Sequence, residues 1–78
     1  MMRITIKFRA SLKRYSGTED GNVCVEIPRG TSIKDILHMY KIHPYDVGMM
    51  MVNGEIASKE TILQPNDTLE LFTMLIGG

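Results

Sequence analysis

The sequence has one cysteine, no tryptophan, three prolines and no excess of either charge. Each shortage excludes a class of protein. A lone Cys24 can build neither an intramolecular disulfide framework nor a cysteine metal cluster, which fits a reducing compartment. Nine basic and nine acidic side chains cancel to zero formal charge. No like-charge run is long enough to form an electrostatic footprint for nucleic acid or a membrane surface, and the adjacent pair Lys13-Arg14 reads as two solvated cations. No apolar run approaches the roughly 20 residues of a membrane span, and the polar N-terminus is not that of a signal peptide. The expectation is a soluble, cytoplasmic chain with neither nucleic acid nor membrane as partner. Its 78 residues allow a single domain. A chain of this size buries only about 60–65% of its unfolded surface, so its core must be complete.

The usual catalytic constellations are missing too. There is no glycine-rich phosphate loop. His38 and His43 lack the i, i+4 spacing of two helical metal ligands and have no ligand-forming neighbours, so both read as solvated and no metal is expected. Cys24 alternates with apolar neighbours and has no helix N-terminus or cation in view to lower its pKa. Ser16 and Ser32 suit a turn and a helix cap. No bound cofactor is expected, because a domain this small has no interior volume for one.

What is present is periodicity. Met2 to Arg9 alternates apolar and polar, with Ile4, Ile6 and Phe8 on one face of a strand. Ala10 to Tyr15 reads as a helical turn with Leu12 inward, followed by a polar loop from Gly17 to Asn22. Val23 to Ile27 alternates again and stops at Pro28. The period then changes. Ser32 and Asp35 form the two ends of a near capping box, and Ile33, Ile36, Leu37 and Tyr40 make one helical stripe. Pro44 places the helix end near His43. Gly48 to Val52 reads as a strand running into the tight-turn pair Asn53-Gly54, with a short return at Glu55 to Ala57. Thr61 to Gln64 is a connector, Gln64 to Asp67 a turn with Asn66 suited to the left-handed conformation, and Thr68 to Phe72 the last strand. The order β-β-α-β-(β)-β is an α+β pattern, a sheet covered on one face by one main helix. The expected core comprises Ile4, Ile6, Phe8, Val23, Val25, Ile27, Ile33, Ile36, Leu37, Tyr40, Val52, Ile56, Leu69 and Leu71.

Two features remain over. In strand phase Met49 and Met51 oppose Met50 and Val52, so one pair faces the core and the other the open side. Two readings stand: an adaptable partner-binding surface extended by Phe72, or gap-filling under a loop. The second feature is the ending, Thr73-Met74-Leu75-Ile76-Gly77-Gly78. Glycine is about 7% of average composition, so a terminal pair arises by chance in roughly one chain in two hundred. A functional reading has a mechanism. A carboxylate is a poor electrophile until ATP converts it to a mixed anhydride, and residues without Cβ can pass through the narrow channel of an activating enzyme. The expected division is a folded unit over residues 1–72 and a flexible tail over residues 73–78.

The stretches Ile4-Thr5-Ile6-Lys7-Phe8, Thr31-Ser32-Ile33, Met51-Val52-Asn53-Gly54-Glu55-Ile56, Asn66-Asp67-Thr68-Leu69-Glu70-Leu71-Phe72 and the final Gly77-Gly78 occur in an order that resembles the ubiquitin-like β-grasp sulfur carriers. That group includes the small subunit of molybdopterin synthase and the thiamine-biosynthesis sulfur carrier. Phe8 to Gly17 looks more like the former and Val52 to Ile56 more like the latter. The chain departs from the pattern with Asn66-Asp67 in place of Gly-Asp, and it lacks a proline-rich approach to the glycines. The resemblance implies a β-grasp fold with a mixed sheet of four or five strands. It also implies a carrier rather than an enzyme, and a cycle in which an E1-like partner uses ATP to adenylate the Gly78 carboxylate. A persulfide sulfur then replaces AMP, and the thiocarboxylate serves a synthase, either the molybdopterin synthase large subunit or a thiazole synthase. Gly77 is the leash, and Phe72, Met74, Leu75, Ile76, Met49 and Met51 are the expected partner contacts. A ubiquitin-like modifier joined to lysines through Gly78, or a non-reactive interaction module, stand as alternatives.

Overall fold

The alternating N-terminal segment forms strand β1 (Met2–Phe8), and Asn22–Ile27 returns beside it as β2 in an antiparallel pair that sets Ile4 opposite Val25 and Ile6 opposite Val23. Between them Ala10–Tyr15 forms a 3₁₀ turn with Leu12 buried, as its spacing suggests. The computed structural model describes residues 1–73, so Met74, Leu75, Ile76, Gly77 and Gly78 lie outside the described residues. Helix α1 (Ile33–Met39) follows, then a second 3₁₀ turn (Pro44–Asp46), β3 (Val47–Val52), β4 (Glu55–Ala57) and β5 (Thr68–Thr73). The sheet has five strands in the order β2-β1-β5-β3-β4. β5 runs parallel to β1 and antiparallel to β3. This is the β-grasp architecture, with α1 across one face.

Local chemistry explains the helix boundaries. The Ser32 hydroxyl accepts from the Asp35 N–H at 3.2 Å and the Asp35 carboxylate accepts from the Ser32 N–H at 2.9 Å, a complete capping box. That Ser32 N–H, with help from the hydroxyl, holds the Asp35 carboxyl below the ordinary carboxylate range. The cap's contribution is therefore present above the ordinary carboxylate pKa and is lost as pH falls through the depressed one. The next two orphan donors of the helix, Ile33 N–H and Lys34 N–H, bond the carbonyls of Thr61 and Lys59 at 3.0 and 2.9 Å. The connector Thr61 to Gln64, with Lys59 just before it, thus closes the helix start, and it buries Leu63.

The helix ends at Met39, earlier than Pro44 suggests. Lys41 adopts φ +59° and a Schellman pair closes the end: Ile42 N–H to Leu37 O at 2.9 Å and Lys41 N–H to His38 O at 3.1 Å. Burial of Ile42 against the core drives this ending. Lysine at a position that favours glycine carries a conformational cost.

The core differs from its expected membership at several places. Met2, Ile42, Val47 and Leu63 join it, while Ile56 is 79% exposed. Val23, Val25, Tyr40 and Val52 pack against it only partly buried, Tyr40 edge-on to Phe8 with ring centroids 5.0 Å apart. Val47 turns inward because a register shift lies between Val47 and Met49, which makes Gly48 the extra residue of a bulge. β5 also continues one residue past the expected boundary and takes in Thr73.

Two turns are tied to each other. Asn53 (φ 53°) and Gly54 (φ 85°) make the hairpin turn, and Asn66 (φ 68°) shapes the turn before β5. The Asn53 amide donates to Asp67 Oδ1 at 2.8 Å, and its carbonyl oxygen accepts from the Thr68 N–H at 2.9 Å. Gly21 has no such freedom. A Cβ there would sit 2.5 Å from the Phe8 carbonyl oxygen, at a backbone φ of +78°.

Gly21→Ala is expected to lower stability by about 2–3 kcal/mol, because β1 backbone cannot move aside. Lys41→Gly is expected to raise it by about 0.5–1 kcal/mol by removing left-handed strain. Urea denaturation midpoints at unchanged slope check both.

Candidate functional site

The sheet leaves one face uncovered by α1, and the end of β5 lies at its border. Along β5 the side chains of Leu69 and Leu71 go into the core. Thr68, Glu70 and Phe72 take the opposite phase. Cross-strand pairing sets Phe72 beside Met49, Glu70 beside Met51, and Met51 beside Ile56. Met50 and Val52, in the other phase, pack on the core. Met49 and Met51 thus lie on the open face, in the phase opposite to the core. Phe72 and Met51 are half-buried, Met49 is 38% exposed and Ile56 is the most exposed of the four.

Ile56 is the residue that reading by hydrophobicity misplaced. The signal was nonetheless available. A two-residue Asn53-Gly54 turn sets Glu55 opposite Val52 and hence Ile56 opposite Met51, so if Met51 faces out then Ile56 must as well. The apolar half of the open face is therefore Phe72, Met49, Met51 and Ile56, carried on β5, β3 and β4.

The other half of that face is polar. β1 presents Arg3, Thr5 and Lys7 beside Glu26, Cys24 and Asn22 of β2. Arg9 marks the seam, its guanidinium donating to Glu70 Oε2 through Nε at 3.1 Å and Nη2 at 2.8 Å. Cys24 is a free, exposed thiol 3.6 Å from the Thr5 hydroxyl, in keeping with its outward phase.

The two histidines lie apart from this face. His43 Nδ1 accepts from the Tyr45 N–H at 3.2 Å and so caps the second 3₁₀ turn, and its ring stacks on Tyr45 at 4.8 Å. His38 is exposed on α1. Among the described residues, no group of three or more His, Cys, Asp or Glu side chains is placed to hold a metal ion. The Asp20 carboxyl is held below the ordinary range by the Asn22 N–H and the Thr18 hydroxyl, contacts that order the loop and close one end of the free edge of β2. Burial raises the Tyr40 hydroxyl pKa. Two surface hollows, of about 340 Å³ beside β4 and about 450 Å³ beside the α1 C-terminus, are open to solvent and line up no catalytic pair. Among the described residues, no helix is long and apolar enough to cross a membrane.

The open face carries an apolar patch continuous, through Phe72, with the end of the last strand. Of the expected contacts, Phe72, Met49 and Met51 come together on one face. Met74, Leu75, Ile76, Gly77 and Gly78 lie outside the described residues.

Comparison with known proteins adds a lineage. The model of the ThiS family matches residues 6–78, nearly the whole chain. A Pyrococcus furiosus protein described as molybdopterin converting factor subunit 1 superposes with a TM-score of 0.74 at 19% identity, over 96% of this chain and 100% of that one. The H. volcanii small archaeal modifier protein 1 gives 0.78 at 20% identity over 96% and 100%, and the Haloferax volcanii HVO 2177 protein 0.79 at 17% over 99% and 87%. At these identities the likeness shows the β-grasp fold. Curated proteins yield no match.

Ile56→Lys is expected to leave stability within about 0.5 kcal/mol, since its side chain has no core contact to lose. Leu69→Ala is expected to cost about 2–5 kcal/mol. Chemical denaturation of the two variants checks the assignment of faces.

Proposed function

The chain belongs to the ThiS family, and from that premise we propose that it is a sulfur carrier whose reactive group is the carboxylate of Gly78. The observation that carries this reading is the extent of the family match, which runs through the final Gly77-Gly78 pair on a β-grasp domain. The described residues set an apolar patch beside the end of β5, which supports a carrier that docks on a partner.

The cycle is simple in chemical terms. In an E1-like partner the Gly78 carboxylate attacks the α-phosphorus of ATP, pyrophosphate leaves, and an acyl adenylate forms. A persulfide on a sulfur donor attacks the acyl carbon and AMP leaves. A thiol then cleaves the sulfur–sulfur bond, releasing the thiocarboxylate and leaving a disulfide behind. The thiocarboxylate sulfur, anionic and nucleophilic, passes to a precursor held by a synthase such as a molybdopterin synthase large subunit or a thiazole synthase.

In this scheme ATP binds the activating enzyme and the chain itself holds no cofactor. Gly77 and Gly78 offer no Cβ to obstruct a narrow channel. Met74, Leu75 and Ile76 supply apolar contacts along the way, and Phe72, Met49 and Met51 supply the docking face, where methionine adapts to more than one partner surface. Ile56 extends that face.

Incubation with ATP, a sulfur donor and the cognate activating enzyme should replace one oxygen of the chain by sulfur, read by intact-mass spectrometry. A chain lacking Gly78 should show no such change. An unchanged mass with an active partner would falsify the proposal. Recovery of Gly78 joined to lysines in place of a thiocarboxylate would replace it with a protein modifier, the kind of protein named in the H. volcanii match.

A further inference from the structure

A carrier of this kind must deliver its last residue to a fixed point in a partner, and the delivery starts where β5 ends. β1 stops at Phe8, whose pairing with Leu71 is the last rung of the parallel ladder. Arg9 continues to hold β5 beyond that rung at three places. Its N–H donates to the Leu71 carbonyl at 2.9 Å. Its guanidinium bonds Glu70 at 2.8 Å. Its own carbonyl accepts from the Thr73 hydroxyl at 3.4 Å.

Ala10 then adopts φ +53°, a left-handed conformation costly for a residue with a Cβ. This turn carries the first 3₁₀ turn across the end of β5, and Ser11 Oγ comes to lie 3.1 Å from Thr73 Oγ1. On the opposite side the Gly48 bulge lets Val47 pair with Thr73. A strained residue persists only where its surroundings over-determine it. Here the surroundings are a set of bonds that converge on Thr73.

We infer that Arg9, Ser11 and Thr73 form a brace that fixes the origin and direction from which residues 74–78 depart, and that they are positioning residues for activation of the Gly78 carboxylate. The inference rests on the sulfur-carrier reading. Five residues extend at most about 17 Å, so a displaced origin is not absorbed by slack in a long linker. Misplacing reacting atoms by about 1 Å can cost as much as 10²-fold in rate. A purely structural role predicts something else, a loss of stability with the activation step intact.

The test uses the full chain with its activating enzyme, and measures kcat and KM for ATP-dependent adenylation by pyrophosphate release. Thr73→Val keeps the branched shape but removes the hydroxyl, Thr73→Ser restores it, and Ser11→Ala removes its partner. The expected result is a fall of about 3- to 10-fold in kcat for Thr73→Val and Ser11→Ala, with KM changed less than about twofold and Thr73→Ser close to the parent chain. A parallel ¹⁵N relaxation measurement should show the Thr73 amide loosening in the first two variants only. Parent-like kcat in Thr73→Val, a loss confined to KM, or an equal loss in Thr73→Ser overturns the brace. An inert parent chain overturns the sulfur-carrier reading instead, and the relaxation measurement then decides the brace alone: an unchanged Thr73 amide rejects it.

Discussion

β5 bonds on one side to β1 and on the other to β3, and without it the sheet would separate into two hairpins joined by a helix. An isolated two-stranded hairpin is at best marginally stable in water, so neither half could hold α1 by itself. The strand that completes the sheet, β5, pairs with β1, far from it in sequence. Its Leu69 and Leu71 are fully buried, and they seal the layer between α1 and both hairpins. Because β5 runs parallel to β1, its C-terminal end emerges at the same end of the sheet as the turn that follows β1. That geometry brings Ser11 and Arg9 to Thr73.

The same placement divides the open face. β5 is the boundary: polar partners lie toward β1 and β2, apolar ones toward β3 and β4. The Arg9–Glu70 pair sits on this boundary, with side chains 40% and 20% exposed. A surface pair of that kind contributes little to folding by Coulomb attraction alone. Its geometry matters more for fixing where Arg9 runs, because two guanidinium donors, Nε and Nη2, converge on the one oxygen Oε2.

Function in this reading is split between a rigid part and a reactive part. The domain supplies recognition through Phe72, Met49, Met51 and Ile56, while the reactive atom is the chain's own terminal carboxylate. A protein that carries a reactive group needs no preorganised pocket, since the partner's active site supplies the electrostatics that activation requires. His43, Asp20 and Asp35 instead serve a cap, a loop and a helix start.

How much of this was legible without coordinates follows the range of the forces involved. The Ser32–Asp35 box, the Asn53-Gly54 turn, the left-handed Asn66 and the inward Leu12 rest on contacts within a few residues, and the sequence by itself determined them. Its two periodicities likewise determined the order of strands and helix, and its resemblance pointed to the family. Tertiary structure decided the rest. Whether Lys41 or a later residue ends α1 depended on burying Ile42. Whether Val47 faces in depended on a bulge that pairing with β5 imposes, and Leu63 became core because its segment closes the start of α1. Ile56 looks like core by composition, yet it is an outer-face residue because register with Met51 overrides hydrophobicity. The Asn53-Gly54 turn ties Ile56 to Met51 locally, but how β5 pairs with β1 and β3, and which face of the sheet is covered, are settled by contacts between residues distant in sequence.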